Sequence, residues 1–166
     1  MSNHQAEFAD FFAAGSDRCL RAAVAVAGSS ELTEDQVAEA FARAWTSWPK
    51  ILRHPAPRGW VVRTALNTGA SWWCRRGREF PLAGHDVAVA GDPGLDASPL
   101  TPIWLLPARQ REVIALRIFL DLDTADIASQ LGFEAGTVRM HLSRGISALR
   151  RQLMPASTTE AARERP

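Results

Sequence analysis

The sequence predicts an all-α protein of two small helical domains joined by a flexible linker, the C-terminal one containing a helix-turn-helix. Three observations carry this. Apolar residues recur every three or four positions on both sides of a central break, the period of amphipathic helices. The break, residues 81–101, is rich in Gly, Pro, Ala and Asp and has no helical periodicity, which is the composition of a linker. Beyond it, Asp121–Leu153 reads as two helices around a tight turn, the second of them basic.

Taken in order, residues 6–28 form a helix or helix pair with Phe8, Phe11, Phe12, Leu20, Val24 and Val26 as apolar contacts, ended by Gly28-Ser-Ser. Thr33-Glu-Asp-Gln36 has capping-box spacing, with Thr33 expected to cap a later N–H while Gln36 reaches back. The helix it opens should run to about Trp48 and bury Val37, Phe41, Ala44, Trp45 and Trp48. Asp35, Glu39, Ala42, Arg43 and Thr46 are left on a thin polar face, which suits either solvent or a partner helix. Three prolines in residues 49–57 argue against continuous helix there. Pro57 suits the first position of the next helix, which continues to Arg75-Arg76. Tryptophan and arginine alternate along it around Asn67. That pattern fits stacked bases and held phosphates; the alternative is a core with Trp60 and Trp73 inside and a solvated basic end, and at least one of the three tryptophans is expected in the core, leaving one or two for a surface.

After the linker, Ile103–Leu106 is a short apolar piece, and Pro107 starts a helix with Val113, Leu116 and Phe119 inward. Asp123 is the expected N-cap of the next helix. Gly132 is its left-handed stop, and Phe133 packs in the turn. Val138, Leu142, Ile146, Leu149 and Leu153 form one apolar stripe on the last helix; Arg139, His141, Ser143, Arg144, Arg150 and Arg151 lie off it. A helix-turn-helix places such a basic helix in the major groove, although the pattern alone fits a plain three-helix core as well. The tail 154–166 is polar, and its end should fray.

Hydrophobic residues make up 46% of the 166, enough for a core, and no run reaches the roughly 20 apolar residues of a membrane span. The opening MSNHQAEFADFF lacks the basic-then-apolar order of a secretory signal, so none is expected. Cys19 and Cys74 stand far apart without a metal-type companion, so no metal or cofactor is expected. The net charge is only +1, but it is unevenly spread. Residues 50–80 carry Lys50, Arg53, Arg58, Arg63, Arg75, Arg76 and Arg78 against Glu79 alone, whereas residues 29–48 are acidic. Blocks of opposite sign suggest more than one partner surface.

Three motifs follow one another along the chain: Glu34-Asp35-x-Val37-x-Glu39-x-Phe41-x-Arg43-Ala44-Trp45, then Pro57-Arg58-x-Trp60-x-x-Arg63-x-Ala65-x-Asn67, then Leu106-Pro107-x-Arg109-Gln110-Arg111-Glu112-Val113 with Gly136-Thr137-Val138-Arg139. In this order they resemble an extracytoplasmic-function sigma factor of bacterial RNA polymerase, over roughly residues 6–153. The resemblance implies a non-enzymatic cytoplasmic transcription initiation factor whose partners are core RNA polymerase and promoter DNA, with an anti-sigma factor as a further candidate. Residues 1–80 would then dock on polymerase and melt the −10 element, 81–101 link, 102–153 bind the −35 element, and 154–166 form a tail.

By the same resemblance Asp35, Glu39 and Arg43 face the polymerase. Lys50, Arg53 and His54 receive a flipped base, while Arg58, Trp60, Arg63, Asn67, Trp72, Arg75 and Arg76 engage the melting strand. Thr137, Arg139, His141, Ser143 and Arg144 read the −35 element. His141 and Ile146 depart from the arginines usual in that family's recognition helix, and Gly69 and Ser71 from its usual melting helix. The two elements lie about two helical turns, ~70 Å, apart, so binding both demands a spread conformation and the free chain should be more compact. The competing readings are a helix-turn-helix regulator that acts without replacing the sigma subunit, and an enzyme. The first leaves the Trp/Arg helix unexplained, and no phosphate loop, zinc motif or nucleophile motif supports the second.

Overall fold

The structure is a computed structural model that describes residues 3–28, 31–76 and 98–154; for Glu31, Leu32 and residues 69–76 it gives the backbone path only. Most of the expected linker (81–97) and the tail from 155 lie outside the described residues. Every described element is an α-helix. Their order is α1 (Asn3–Ala27), α2 (Glu31–Thr46), α3 (Trp48–Ile51), α4 (Pro57–Arg76), α5 (Thr101–Trp104), α6 (Ala108–Leu120), α7 (Thr124–Leu131) and α8 (Ala135–Leu153).

Helices α1, α2 and α4 make the first unit, with α3 closing its end. Small residues let them approach closely: Cys19, Ala22, Ala23, Ala40, Ala44 and Ala65 are fully buried at their contacts. Aromatics fill one end, where Phe11 packs between Phe41 (5.9 Å between ring centroids) and Trp48 (5.0 Å). Gly28, at φ 78°, ends α1 by donating its N–H to the Val24 carbonyl.

Four details differ from the sequence expectations. Helix α2 begins at Glu31, two residues before the expected cap, so Thr33 lies inside its first turn, 2% exposed. Helix α2 ends at Thr46, and α3 runs through Pro49, which sits in a first turn where its missing N–H is not needed. Trp45, expected inside, is 46% exposed and leans on the Phe8 ring at 5.1 Å, because α1 covers Phe41 and Trp48 instead. The expected linker ends early: Ser98–Leu100 form a turn, and Thr101 already opens α5.

In the second unit α6 ends on Asp121, a left-handed residue at φ 53°, and Arg117 donates to the Leu122 carbonyl across the bend. Asp123 caps α7 by accepting the Asp126 N–H at 2.8 Å. Gly132, at φ 68°, turns the chain into α8. Of the expected stripe on α8, only Val138 is fully buried; Leu142 and Leu149 are half-buried, and Ile146 and Leu153 are 40% and 65% exposed. Gly145 takes the central contact, because α8 crosses α6 there.

The two units are in direct contact. Helix α1 packs along α6 as well as against α2 and α4, and α4 touches both α6 and α7. One apolar core therefore runs from Phe41, Trp48 and Val61 through Cys19 and Ala22 to Val113, Leu116, Ile127 and Val138.

Candidate nucleic-acid interface

Helix α8 lies on α6 through Val138, Leu142 and Gly145, so the opposite side of its first half is turned outward. Arg139, Ser143 and Arg144 stand exposed on that side, and Thr137 is half-buried at its edge. His141 is turned the other way. Its ring lies 5.9 Å from Phe133, and its Nδ1 is buried with no hydrogen-bond partner among the described residues. Gly136 and Met140 also face outward, Met140 at 39% exposure. Sequence reading passed over Met140 because it is apolar; its helical angle beside Arg139 and Ser143 was the available signal. A groove between α8 and the start of α6 is lined by Ser143, Arg144, Ser147 and Arg151, two guanidiniums and two hydroxyls suited to backbone phosphates. The side chains fit a major-groove reader: arginine forks for guanine or phosphate, and an apolar Met140 able to meet a thymine methyl.

The second candidate surface is the α3–α4 corner. Lys50 and Arg53 are exposed there. His54 is half-buried; its Nδ1 accepts the Ala56 N–H at 3.0 Å, which shapes the bend before α4. On α4, Arg63 and Asn67 are exposed one turn apart, and Trp60 sits half-buried against the core on the preceding turn. Arg58 is not on this surface. It folds back on α1, 6.0 Å from the Phe11 ring, in space left by Gly15, with Nε buried and without a hydrogen-bond partner among the described residues. Trp72, Arg75 and Arg76 continue the helix, but their side chains lie outside the described residues.

Asp35, Glu39 and Arg43 share an exposed face of α2, where Arg43 Nε pairs with Glu39 Oε1 at 2.9 Å. Both partners are about half exposed, so the pair contributes little to stability and leaves the face free for a partner. Phe12 and Trp45 add exposed aromatic surface nearby. Among the described residues no group of His, Cys, Asp and Glu is placed to hold a metal, and no helix is long and apolar enough to cross a membrane.

Residues 11–79 match the family description Sigma-70 region 2, and residues 105–149 match Sigma-70, region 4. The chain is 28% identical over 164 residues to the RNA polymerase sigma-E factor of Streptomyces coelicolor, covering 96% of this chain and 93% of that one. It is 27% identical to the ECF RNA polymerase sigma factor SigW of Bacillus subtilis, covering 90% of each. Among solved structures it is similar to the sigma factor RpoE crystallised with the anti-sigma factor NepR from Bartonella quintana. The TM-score is 0.69 at 21% identity, over 89% of this chain and 96% of that one, a likeness of fold.

Proposed function

This chain belongs to the sigma-70 family as an extracytoplasmic-function sigma factor, a factor for promoter recognition and transcription initiation, and on that premise we propose how its surfaces divide the work. Residues 102–153 place the complex on the −35 element through Arg139, Ser143 and Arg144, with Met140 beside them. Residues 1–80 dock on core RNA polymerase through the α2 face of Asp35, Glu39 and Arg43, and engage the −10 element with Lys50, Arg53, His54, Trp60, Arg63 and Asn67. The observation that carries this division is the outward face of α8, basic and unobstructed, on the same chain as an Arg63–Asn67 face on α4.

The physical logic is an exchange. Taking a base out of the duplex costs a few kcal/mol, and stacking on an aromatic returns about 1–3 kcal/mol per base. Trp60 supplies the aromatic surface, and Arg63 lies one turn further along to hold the backbone. The chain does no chemistry of its own in this reading, since bond formation belongs to the polymerase, and it works in the cytoplasm, where polymerase and promoter meet. A regulatory partner of the anti-sigma kind, as in the Bartonella complex, would act by covering these surfaces.

Run-off transcription with core polymerase over a promoter library tests the proposal. The wild-type chain should direct initiation from a defined subset, Arg144→Ala should lose or relax −35 preference, and Asn67→Ala should weaken initiation where the −35 element is intact. A wild-type chain that supports no initiation, or one that represses by binding an operator without polymerase, contradicts it.

A further inference from the structure

Met140 stands at the centre of the outward face of α8. At about 100° per residue, Val138, Leu142, Gly145 and Leu149 gather on the side of the helix opposite Met140, and Val138 and Gly145 are buried there. The same spacing sets Thr137 and Arg144 to one side of Met140 and Arg139 and Ser143 to the other. Gly136 lies one turn before it, and Ser147 and Arg151 follow along the same line. A helix that enters a groove by this face therefore carries Met140 deepest. The side chain is 39% exposed, while the core beneath α8 is built by Val138, Leu142 and Phe133. The turn before Met140 is bare: a Cβ on Gly136 would meet only Arg139 Nη2, at 4.0 Å. Helical side chains lean toward the N-terminus, so Met140 borders an open notch over Gly136.

We infer that Met140 is a specificity-determining residue of the −35 contact, a methyl reader that selects a thymine on one strand of that element. The inference rests on the assignment of α8 to the −35 element and deepens it by naming a base. Every base pair presents hydrogen-bonding groups in the major groove, and the apolar group on offer there is the C5-methyl of thymine. A thioether donates nothing and accepts weakly, so Met140 pressed on a polar base edge would dry groups that it cannot pair. Pressed on a methyl, it removes apolar surface from water on both partners. Its unbranched, polarisable chain can settle the methyl into the notch over Gly136. The flanking arginines have another task, since guanidinium forks bond guanine or phosphate and do not sense a methyl. Charge makes the occupant a nucleic acid rather than an apolar protein surface. Helix α8 carries no acidic residue from Ala135 to Leu153, and Arg139, Arg144 and Arg151 surround Met140. Phosphates would pair these cations, whereas an apolar partner would bury them unpaired.

The test uses the full chain with core polymerase and run-off transcription from promoters randomised across the −35 element. The wild type should enrich thymine at one position on one strand. Each thymine of the enriched element, on either strand, is then replaced singly by deoxyuridine, which deletes the methyl and keeps every hydrogen-bonding group. One replacement should lower wild-type initiation about fourfold, the effect of one buried methyl. Met140→Ala should lose that response and the thymine preference at that position, while its preferences at the other −35 positions persist. Met140→Leu, still apolar, should keep the deoxyuridine response. If Met140→Ala directs no initiation, Met140→Gln, of similar length but polar, decides by the same loss of response. An enriched element without thymine, a wild type insensitive to every deoxyuridine, or a response that persists in Met140→Ala would overturn the assignment and leave the chain a sigma factor. A wild type that initiates nowhere would overturn both.

Discussion

Gly145 and Ile114 set how close α8 lies to α6: a Cβ at position 145 would stand 2.8 Å from Ile114 Cγ1, closer than real atoms approach. This contact fixes the rotation of α8, and with it the outward aim of Arg139, Ser143 and Arg144. Gly145→Val should therefore act twice. Overpacking a tight crossing costs about 1–3 kcal/mol, which a urea unfolding curve would register as a lower midpoint. The tilted helix should also lose −35-dependent transcription in protein that remains folded. Unchanged stability and promoter preference would show that α6 yields without moving α8.

Arg111 is a buried cation, 7% exposed, holding three carbonyls: Val26, Trp104 and Leu106. Burial lowers its pKa from the usual guanidinium value, with Glu112 opposing the shift, and the forked head still satisfies acceptors on two helices and a turn. Arg111→Met should destabilise the chain by about 2–4 kcal/mol, because charged hydrogen bonds are lost and the carbonyls are left dry. Arg111→Lys should recover only part of that, since an ammonium cannot reproduce the planar fork. Denaturant midpoints of the three proteins provide the check, and full rescue by lysine would refute the geometric account.

Cys19 sits at 0% exposure between α1 and α4, and burial pushes its thiol up to about 12, against a smaller opposing pull from Arg58. The unfolded thiol ionises near 9.0, so between those values the unfolded chain loses a proton that the native chain keeps. Stability from this group is therefore present below pH 9 and declines as pH rises toward 12. Cys19→Ser should show a shallower alkaline decline in unfolding free energy. Native Cys19 should also resist thiol-labelling reagents at pH 8 until denaturant opens the fold, as mass spectrometry of the labelled peptide would reveal.

Asp123 accepts the Asp126 N–H at the start of α7, and Asp123→Ala should cost about 1 kcal/mol of stability. Asp123→Asn, which keeps an acceptor oxygen, should cost less. Because α7 braces α8, a thermal melt of each variant would show whether the cap serves the whole chain or only its own helix.

Asp123 and Gly132 were legible in the sequence because caps are local: a short side chain before a helix and a glycine after it act within one turn. Pro57 was legible for the same reason. The misreadings share a different cause. Thr33 and Gln36 have the right spacing, but the same spacing occurs inside a first turn, and the packing that buries Thr33 is not local. Trp45 and Ile146 lie on apolar stripes, yet which edge of a stripe is covered depends on where a neighbouring helix stops. Arg58 was given to the melting strand only by the family resemblance; Gly15, 43 positions earlier, makes the room that draws its side chain toward α1. The contacts from Trp104 and Arg111 to α1 join residues 80 and 85 positions apart, and no periodicity announces them.

Under the proposed division of work α8 places the complex while α4 opens the strands, and footprinting on one promoter separates the two tasks. With wild-type chain and core polymerase, DNase should reveal protection of the −35 element, and permanganate should reveal unpaired thymines at the −10 element. The double variant Arg63→Ala, Asn67→Ala should keep the protection and lose the permanganate signal. Strand opening that survives the double variant, or protection and opening that disappear together, would contradict the account.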